Sequence, residues 1–569
     1  MKLCAKILGL CFVLVAVVML GNARPAHAAT FTVTNTNDSS AGSLRQAITD
    51  ATGAGVGAHT VTFTIPGAGP HTITPTSPLP GIGNTNAVLP QSITIDGCSQ
   101  PGSQCGSFPL DLRVRINGIN SGGTSNDAAL RVQKTTNGVT IRGLSITNAP
   151  SAAIRGVRTA YNGQFTHPDD MNIEYNYIGL APDGAAAGNG MGISFYQVGG
   201  AMGMNRNRVA NNIIGGNTAN ALITYAISIF SPPAPAEDIV IENNYIGLDP
   251  TGTAARPNDS GLSMVLTSDA RVSNNRIENN VGFGMEARRA NQNLLIHDNT
   301  LVNNGGAGIT FAPGLTTFPA FVGPATVYGN TITGNGLDGI TTTNASDITI
   351  GGVAGGQGNI IASNSGKGVV VGANLADTSI HVAIRGNSIY SNGGLGIDLA
   401  NNGVTVNDAN DADTGPNTLI NFPVITSFTH GSAILKGTYS GAPNQAYTLD
   451  FYHSPSADAT SNGEGQTWIG NGQITTDGGG NATFDFTFNV NVPAGSVVSA
   501  TATDSLGNTS EFSGTLEAPP VSGDPAGSDA GLADTGQSTG TYILLGAVLV
   551  IASAAVIFKY KFINKTQQI

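Results

Sequence analysis

One short phrase, Asn-x-(Ile/Val/Leu)-x-x-Asn, returns through residues 176–399 and restricts what this chain can fold into. It opens at Asn207, Asn275, Asn299, Asn330, Asn359 and Asn387, and the looser copies NYIGLAPDG and NYIGLDPTG open at Asn176 and Asn244 without the second Asn. Successive copies start 24 to 37 residues apart, the size of one supersecondary unit stacked on its neighbour. Within each copy, runs of three to five residues alternate apolar and polar between Gly and Asn, and no apolar 3.6-residue period survives.

Helical repeats are therefore excluded, and leucine-rich repeats need several Leu per unit where these units carry Ile, Val and Asn. A parallel β-helix fits, with three short strands per coil sending alternate residues into a dry core. Asn tolerates a left-handed turn better than other non-glycine residues, and stacked copies can bond amide to amide. The six Asn that open the full copies are expected to stack at one corner. The 77 Gly, nearly twice the average share of about 7%, suit such a turn-rich chain.

The coils, the NYIGL pair, the opening VTNTNDSSAGSLRQAI and the phrase GGLGIDLANNGVTVNDANDADTGPNTLINFPVI resemble the right-handed parallel β-helix family of bacterial surface proteins, of pectate-lyase-like architecture. That resemblance implies a fold and a surface location over about residues 30–514. It implies no single activity, because the architecture hosts lyases, hydrolases and adhesins.

The expected organisation is all-β with additions at both ends. Residues 1–28 read as a secretory signal ending in Ala26-His27-Ala28. Residues 29–90 form an N-terminal cap, in which Ser43 and Gln46 make a capping box for a helix with Leu44, Ala47, Ile48 and Ala51 on one face. Such a cap covers the exposed end of the solenoid. The β-helix itself spans 91–420; its first coils lack the Asn mark, and Leu144 stands in its place. Cys98 and Cys105 are expected to form a disulfide in the oxidising exterior, worth about 2.5 kcal/mol by chain entropy. Residues 421–516 show longer alternating runs, read as a separate small immunoglobulin-like β-sandwich with Trp468 in its core. Residues 517–531 are a flexible linker.

Residues 532–569 carry Leu532-Ala533-Asp534-Thr535-Gly536, an apolar run over 542–558 and a basic tail. The run is long enough for a short transmembrane helix with its lysines left inside. This order resembles the signal that sortases cut between Thr and Gly, with Ala533 at the usual Pro position. It implies sortase and the cell envelope as partners, and export to the cell surface with anchoring to wall or membrane by the C-terminus.

A net charge of −12 without a basic cluster argues against nucleic acid as a partner. In β-helix enzymes, groups from neighbouring coils converge on an outward strand row. Here the row reads Ser194, Ser263, Glu286, Thr310, Thr341, Val370 and Asp398. Glycoside hydrolysis commonly needs carboxylates about 5 to 9.5 Å apart, whereas Glu286 and Asp398 stand four coil steps apart, about 19 Å. Glu286 with Arg288 and Arg289 reads as a solvated ion pair; Asp169 and Asp170 form the other notable acidic pair of the repeats. These three acids are the weak catalytic candidates. Asp408, Asn410, Asp411 and Asp413 concentrate oxygens as calcium prefers, against the alternative of an Asx-rich turn; no other cofactor is called for.

Three functions remain open: a surface adhesin or stalk contacting glycans, surface proteins or other cells, which is favoured; a displayed polysaccharide lyase or glycoside hydrolase; and a purely structural envelope protein.

Overall fold

Short alternating runs become three parallel sheets, one for each side of every coil, with twelve, eleven and ten strands among the described residues. Inward positions meet their equivalents one coil away. On the first sheet Ile141, Ile173, Val209 and Ile241 pair in register and are fully buried. Branched residues fill such columns because their stiff side chains pack well on a pleated surface. The computed structural model describes residues 27–517, except 84–90, 125, 134–136, 158, 162–163, 197–203, 218–224, 231–234, 290–291, 313–322, 430–432 and 459–461. Residues 1–26 of the signal, the linker from 518 on, and the sorting signal with its apolar run lie outside the described residues. Among the described residues, no helix is long and apolar enough to cross a membrane.

The coiling begins earlier than the Asn marks indicate. Strand Ala29–Val33 pairs in parallel with Gly57–Phe63, which pairs with Gln91–Asp96, so the segment expected to be only a cap already belongs to the first sheet. Helix Leu44–Gly53 buries Leu44, Ala47, Ile48 and Ala51 in the common core. Ser43 caps it by accepting from the Gln46 N–H, but the Gln46 amide reaches forward to Asp50, so only half of the capping box forms.

Two Asn ladders run along the coils. The first is Asn176, Asn212, Asn244, Asn275, Asn299, Asn330, Asn359 and Asn387. Each Oδ1 accepts both the backbone N–H and the amide of the preceding rung, as Asn330 does from Asn299 at 2.9 and 3.0 Å. Each amide also donates to a backbone carbonyl one coil back, as Asn330 does to Ile296. Every buried polar atom of a rung thus has a partner where water cannot reach. The backbone N–H of Leu144 donates to Asn176 Oδ1, which puts Leu144 one step beyond the first rung. A second ladder joins Asn189, Asn217, Asn258, Asn280, Asn304, Asn335, Asn364 and Asn392.

Asn207 is not a rung. It sits at the preceding corner, before the first-sheet strand Arg208–Ala210, where it accepts from the Met171 N–H. The phrase fits two corners because strands on both sides of the corner share the same inward spacing. In that coil the rungs are Asn212 and Asn217, and the second Asn of the NYIGL copies is Asn189 or Asn258, delayed by an inserted loop.

The C-terminal sheets, antiparallel and of three and four strands, are not a separate body; they close the far end of the solenoid. All three parallel sheets would end there on unpaired backbone, which invites association. Asn508 and Thr509 side chains accept from His381 and Ile384 on the first sheet. Ile389 and Gly465 exchange two backbone bonds on the second, and Glu511 accepts from Leu399 on the third. Glu464 completes the second Asn ladder: its Oε1 takes the Asn392 N–H and amide at 3.1 and 3.2 Å, where the next Asn would stand. Burial raises Glu464 above the usual carboxylate range and pushes Glu511 up to about 7. Arg385 forks onto Asp450, which is fully buried and also accepts from Trp468 Nε1 at 3.0 Å. Trp468 is half-buried against the sandwich core.

Candidate functional site

The third sheet carries the row read from the sequence. Register aligns Arg131, Arg155, Ser194, Ser228, Ser263, Glu286, Thr310, Thr341, Val370 and Asp398 in consecutive coils. Ser228 escapes the sequence reading because Ala226 stands where each of the seven members read from the sequence has a Gly two residues ahead of it. The row points away from the solenoid core yet is largely covered. Ser194, Ser263, Val370 and Asp398 are buried, and Glu286 is 1% exposed. The expected solvated ion pair is thus solvated on one side only: Glu286 is buried, and Arg288, 2.5 Å away, is about a third exposed. A buried carboxylate needs such a partner, since desolvating it alone costs several kcal/mol. Its row neighbours Ser263 and Thr310 offer no second carboxylate. Asp398 is held by Lys367 at 2.9 Å and by the backbone N–H groups of Asn402 and Gly403, the chemistry of a buried turn.

Asp170 forks onto Arg206 at 2.7 and 2.8 Å, and Asp169 accepts from the Asn205 N–H, so the pair is engaged in tying adjacent corners together. On the first sheet, Asp96, Arg142, Glu174, Arg208, Glu242 and Arg271 alternate in sign from coil to coil at 2.9 to 4.0 Å. Glu174 and Glu242 are each bracketed by two arginines, and Asp96 at the end of the stripe pairs with Arg142.

Asp408, Asp411 and Asp413 bring carboxylate oxygens within 4.8 Å of one another. Burial, with the nearby Asp413 and Asp408 charges, pushes Asp411 up to about 6, and Asp413 is raised by burial and Asp408. Asp413 Oδ1 is enclosed without a hydrogen-bond partner among the described residues. Hard oxygen donors in mutual repulsion suit calcium. Asp408 and Asp411 also serve the turn, accepting from the Ala412 and Asn421 N–H groups, while Asn410 Oδ1 lies beside Gly480.

A different place combines the features of a ligand site. Cys98 and Cys105 are joined in a disulfide. The chain beyond it is fastened to the outer face of the second sheet, where Leu110 and Leu112 pack on Tyr177, Leu180 and Ile213, and Tyr177 donates to the Leu110 carbonyl. This works because the outward row of that sheet is apolar here: Tyr177, Ile213 and Tyr245 in successive coils. Between loop and coils lie two adjoining hollows of about 280 and 580 Å³, sharing Gly106, Ser107 and Tyr175. Phe108 meets Tyr245 with ring centroids 4.5 Å apart, and both are half-exposed. The floor continues through Tyr175, Asn211, Asn243 and Asn274, each one residue before a ladder Asn and each with φ near +55°. Asn adopts that conformation readily, but a bulky Tyr does so only at a cost of about 1–2 kcal/mol. An aromatic at Tyr175 is thus held there against a local preference, a pattern that clusters at ligand sites. The sequence signal was present: in both NYIGL copies Ile points inward, so the Tyr must point out.

Handedness and relatives follow from comparison with known proteins. Residues 113–352 match the right-handed β-helix region family. No curated protein matches the chain. Among solved structures, the β-helix is similar to the A-module of the Azotobacter vinelandii mannuronan C-5 epimerase AlgE6, at 15% identity and TM-score 0.36, over 66% of this chain and 91% of that one. It is also similar to a double mutant of the periplasmic alginate epimerase AlgG, at 14% identity and TM-score 0.34, over 60% and 70%. A third similarity is to the Acinetobacter phage vB_ApiP_P1 tailspike protein, at 10% identity and TM-score 0.36, over 86% and 89%. Likenesses at this level leave the activity to be argued from the chain's own residues.

Proposed function

We propose that the chain is an exported stalk, held at the cell surface by its C-terminus, that binds glycans without cleaving them. The observation that carries this reading is the groove beneath the 98–112 loop, where aromatic rings and amides line one open channel. Sugar rings present apolar C–H faces and a polar hydroxyl rim, and sites that bury both combine aromatic contact with a few placed polar groups. Against cleavage stands the third-sheet row, in which Glu286 is bonded to Arg288 and flanked by Ser263 and Thr310.

The test is a panel of immobilised polysaccharides, scored for retention of the protein and for shortening of the polymer. Retention without shortening is expected. Shortening that Glu286→Gln abolishes would replace this reading with that of an enzyme, with Asp169 and Asp170 next in line if shortening survives.

Anchoring makes its own prediction. Thr535→Ala should convert an envelope-bonded protein into one that detergent extracts, whereas equal extraction of both forms would leave the apolar run 542–558 as the anchor. Calcium at Asp408, Asp411 and Asp413 belongs to the same reading as a stiffener of the junction between solenoid and sandwich. Millimolar calcium should raise the melting midpoint over that in chelator, and Asp411→Asn should remove the rise. An unchanged wild-type midpoint would show the turn to be sufficient without an ion.

A further inference from the structure

The charge state of the groove narrows the ligand class, granted that the groove binds glycan at all. We infer that it takes an uncharged glycan, laid along the solenoid axis across the coils of Tyr175, Asn211, Asn243 and Asn274. Among the described residues, both arginines at the groove are already neutralised. Arg142 forks onto Asp96 at 2.9 and 3.0 Å and approaches Glu174 at 4.0 Å. Arg276 forks onto Glu278 at 2.7 and 3.2 Å, with its guanidinium 5.0 Å from the centre of the Tyr245 ring. Beyond Asn274 the next corner residue is Asp298, paired with His297 at 2.7 Å. A uronate or sulfated chain would find no uncommitted cation here among the described residues, and the net charge of −12 repels it at long range.

The free polar groups are amides. Asn211, Asn243 and Asn274 line the groove, and none of their side chains is hydrogen-bonded among the described residues. An amide offers both donor and acceptor, which matches hydroxyl groups that do the same. Coils repeat every 4.8 Å or so, so the column from Tyr175 to Asn274 extends about 14 Å along the axis. That direction is fixed by the stacking of coils; a chain crossing the groove sideways would meet one amide instead of three. Phe108 and Tyr245 supply the face for a ring, and residues 103–107 of the disulfide loop form the wall beside it.

The experiment is calorimetric titration of the protein with neutral oligosaccharides (cellohexaose, xylohexaose, mannohexaose, galactohexaose) and with hexamers of galacturonate and mannuronate. At least one neutral hexamer should bind, with affinity unchanged within about twofold from low to high salt. Asn243→Gly and Asn274→Gly keep the left-handed backbone while removing an amide, so each should weaken binding about fivefold at an unchanged melting midpoint. Binding confined to the uronate hexamers, weakened by salt, overturns the uncharged class while leaving glycan binding intact. Neutral binding that neither glycine variant alters overturns the axial placement. No binding by any hexamer overturns both this inference and the functional reading beneath it.

Discussion

Asn330→Ala should destabilise the β-helix by about 3–5 kcal/mol, although it removes only a small polar side chain. Asn330 Oδ1 accepts two bonds from Asn299, and its amide donates to Ile296, Tyr328 and Asn359. Alanine leaves the backbone N–H of Asn299 and the carbonyl of Ile296 short of a partner in a dry interior. An abandoned buried group costs about 1–3 kcal/mol, more than the net worth of the bond it lost. Asn243→Gly is the control, one residue before a rung but exposed, and should cost under about 0.5 kcal/mol. Denaturant unfolding followed by circular dichroism reads both. Equal midpoints for the two variants would mean the ladder is an ornament on a fold held by its apolar columns alone.

Arg385→Ala should cost a further large amount, about 3–5 kcal/mol, at the other end of the solenoid. Asp450 is fully buried there and would keep the Trp468 indole N–H but lose both bonds of the guanidinium. Breaking one side of a buried pair strands the other charge, while replacing both with apolar residues of similar volume is often neutral. Arg385→Met combined with Asp450→Leu should therefore recover most of the loss. The single variant should also separate unfolding of the sandwich from that of the coils, because the sandwich closes the ends of all three parallel sheets. A single variant within about 1 kcal/mol of the parent, unfolding in one step, would deny the sandwich its role as an end cap.

The parts legible in the sequence were those written at short range. Alternation placed Ile173, Val209 and Ile241 inward, and the Gly-anchored phrases gave seven members of the third-sheet row in their true register. Asn207 was misplaced because one phrase fits two corners of a coil, and spacing alone cannot tell which sheet follows. Burial of Glu286 was not legible either, since facing away from the core need not mean facing water. The groove joins residues far apart in the chain: Tyr177 reaches Leu110 across 67 positions. Nothing around Phe108 announces that partner. Glu464 was equally silent, lying in a run with no motif and acting as a rung only after the sandwich docks.

Glycan binding in the groove beneath the disulfide loop depends on the aromatic pair Phe108 and Tyr245. The glycan best retained by the parent protein is titrated into the double variant Phe108→Ala with Tyr245→Ala. Loss of the aromatic platform, worth about 2 kcal/mol, should weaken binding about 30-fold while the melting midpoint of the coils stays in place. Unchanged affinity in a folded double variant would put the ligand elsewhere on the molecule and leave the groove without a glycan.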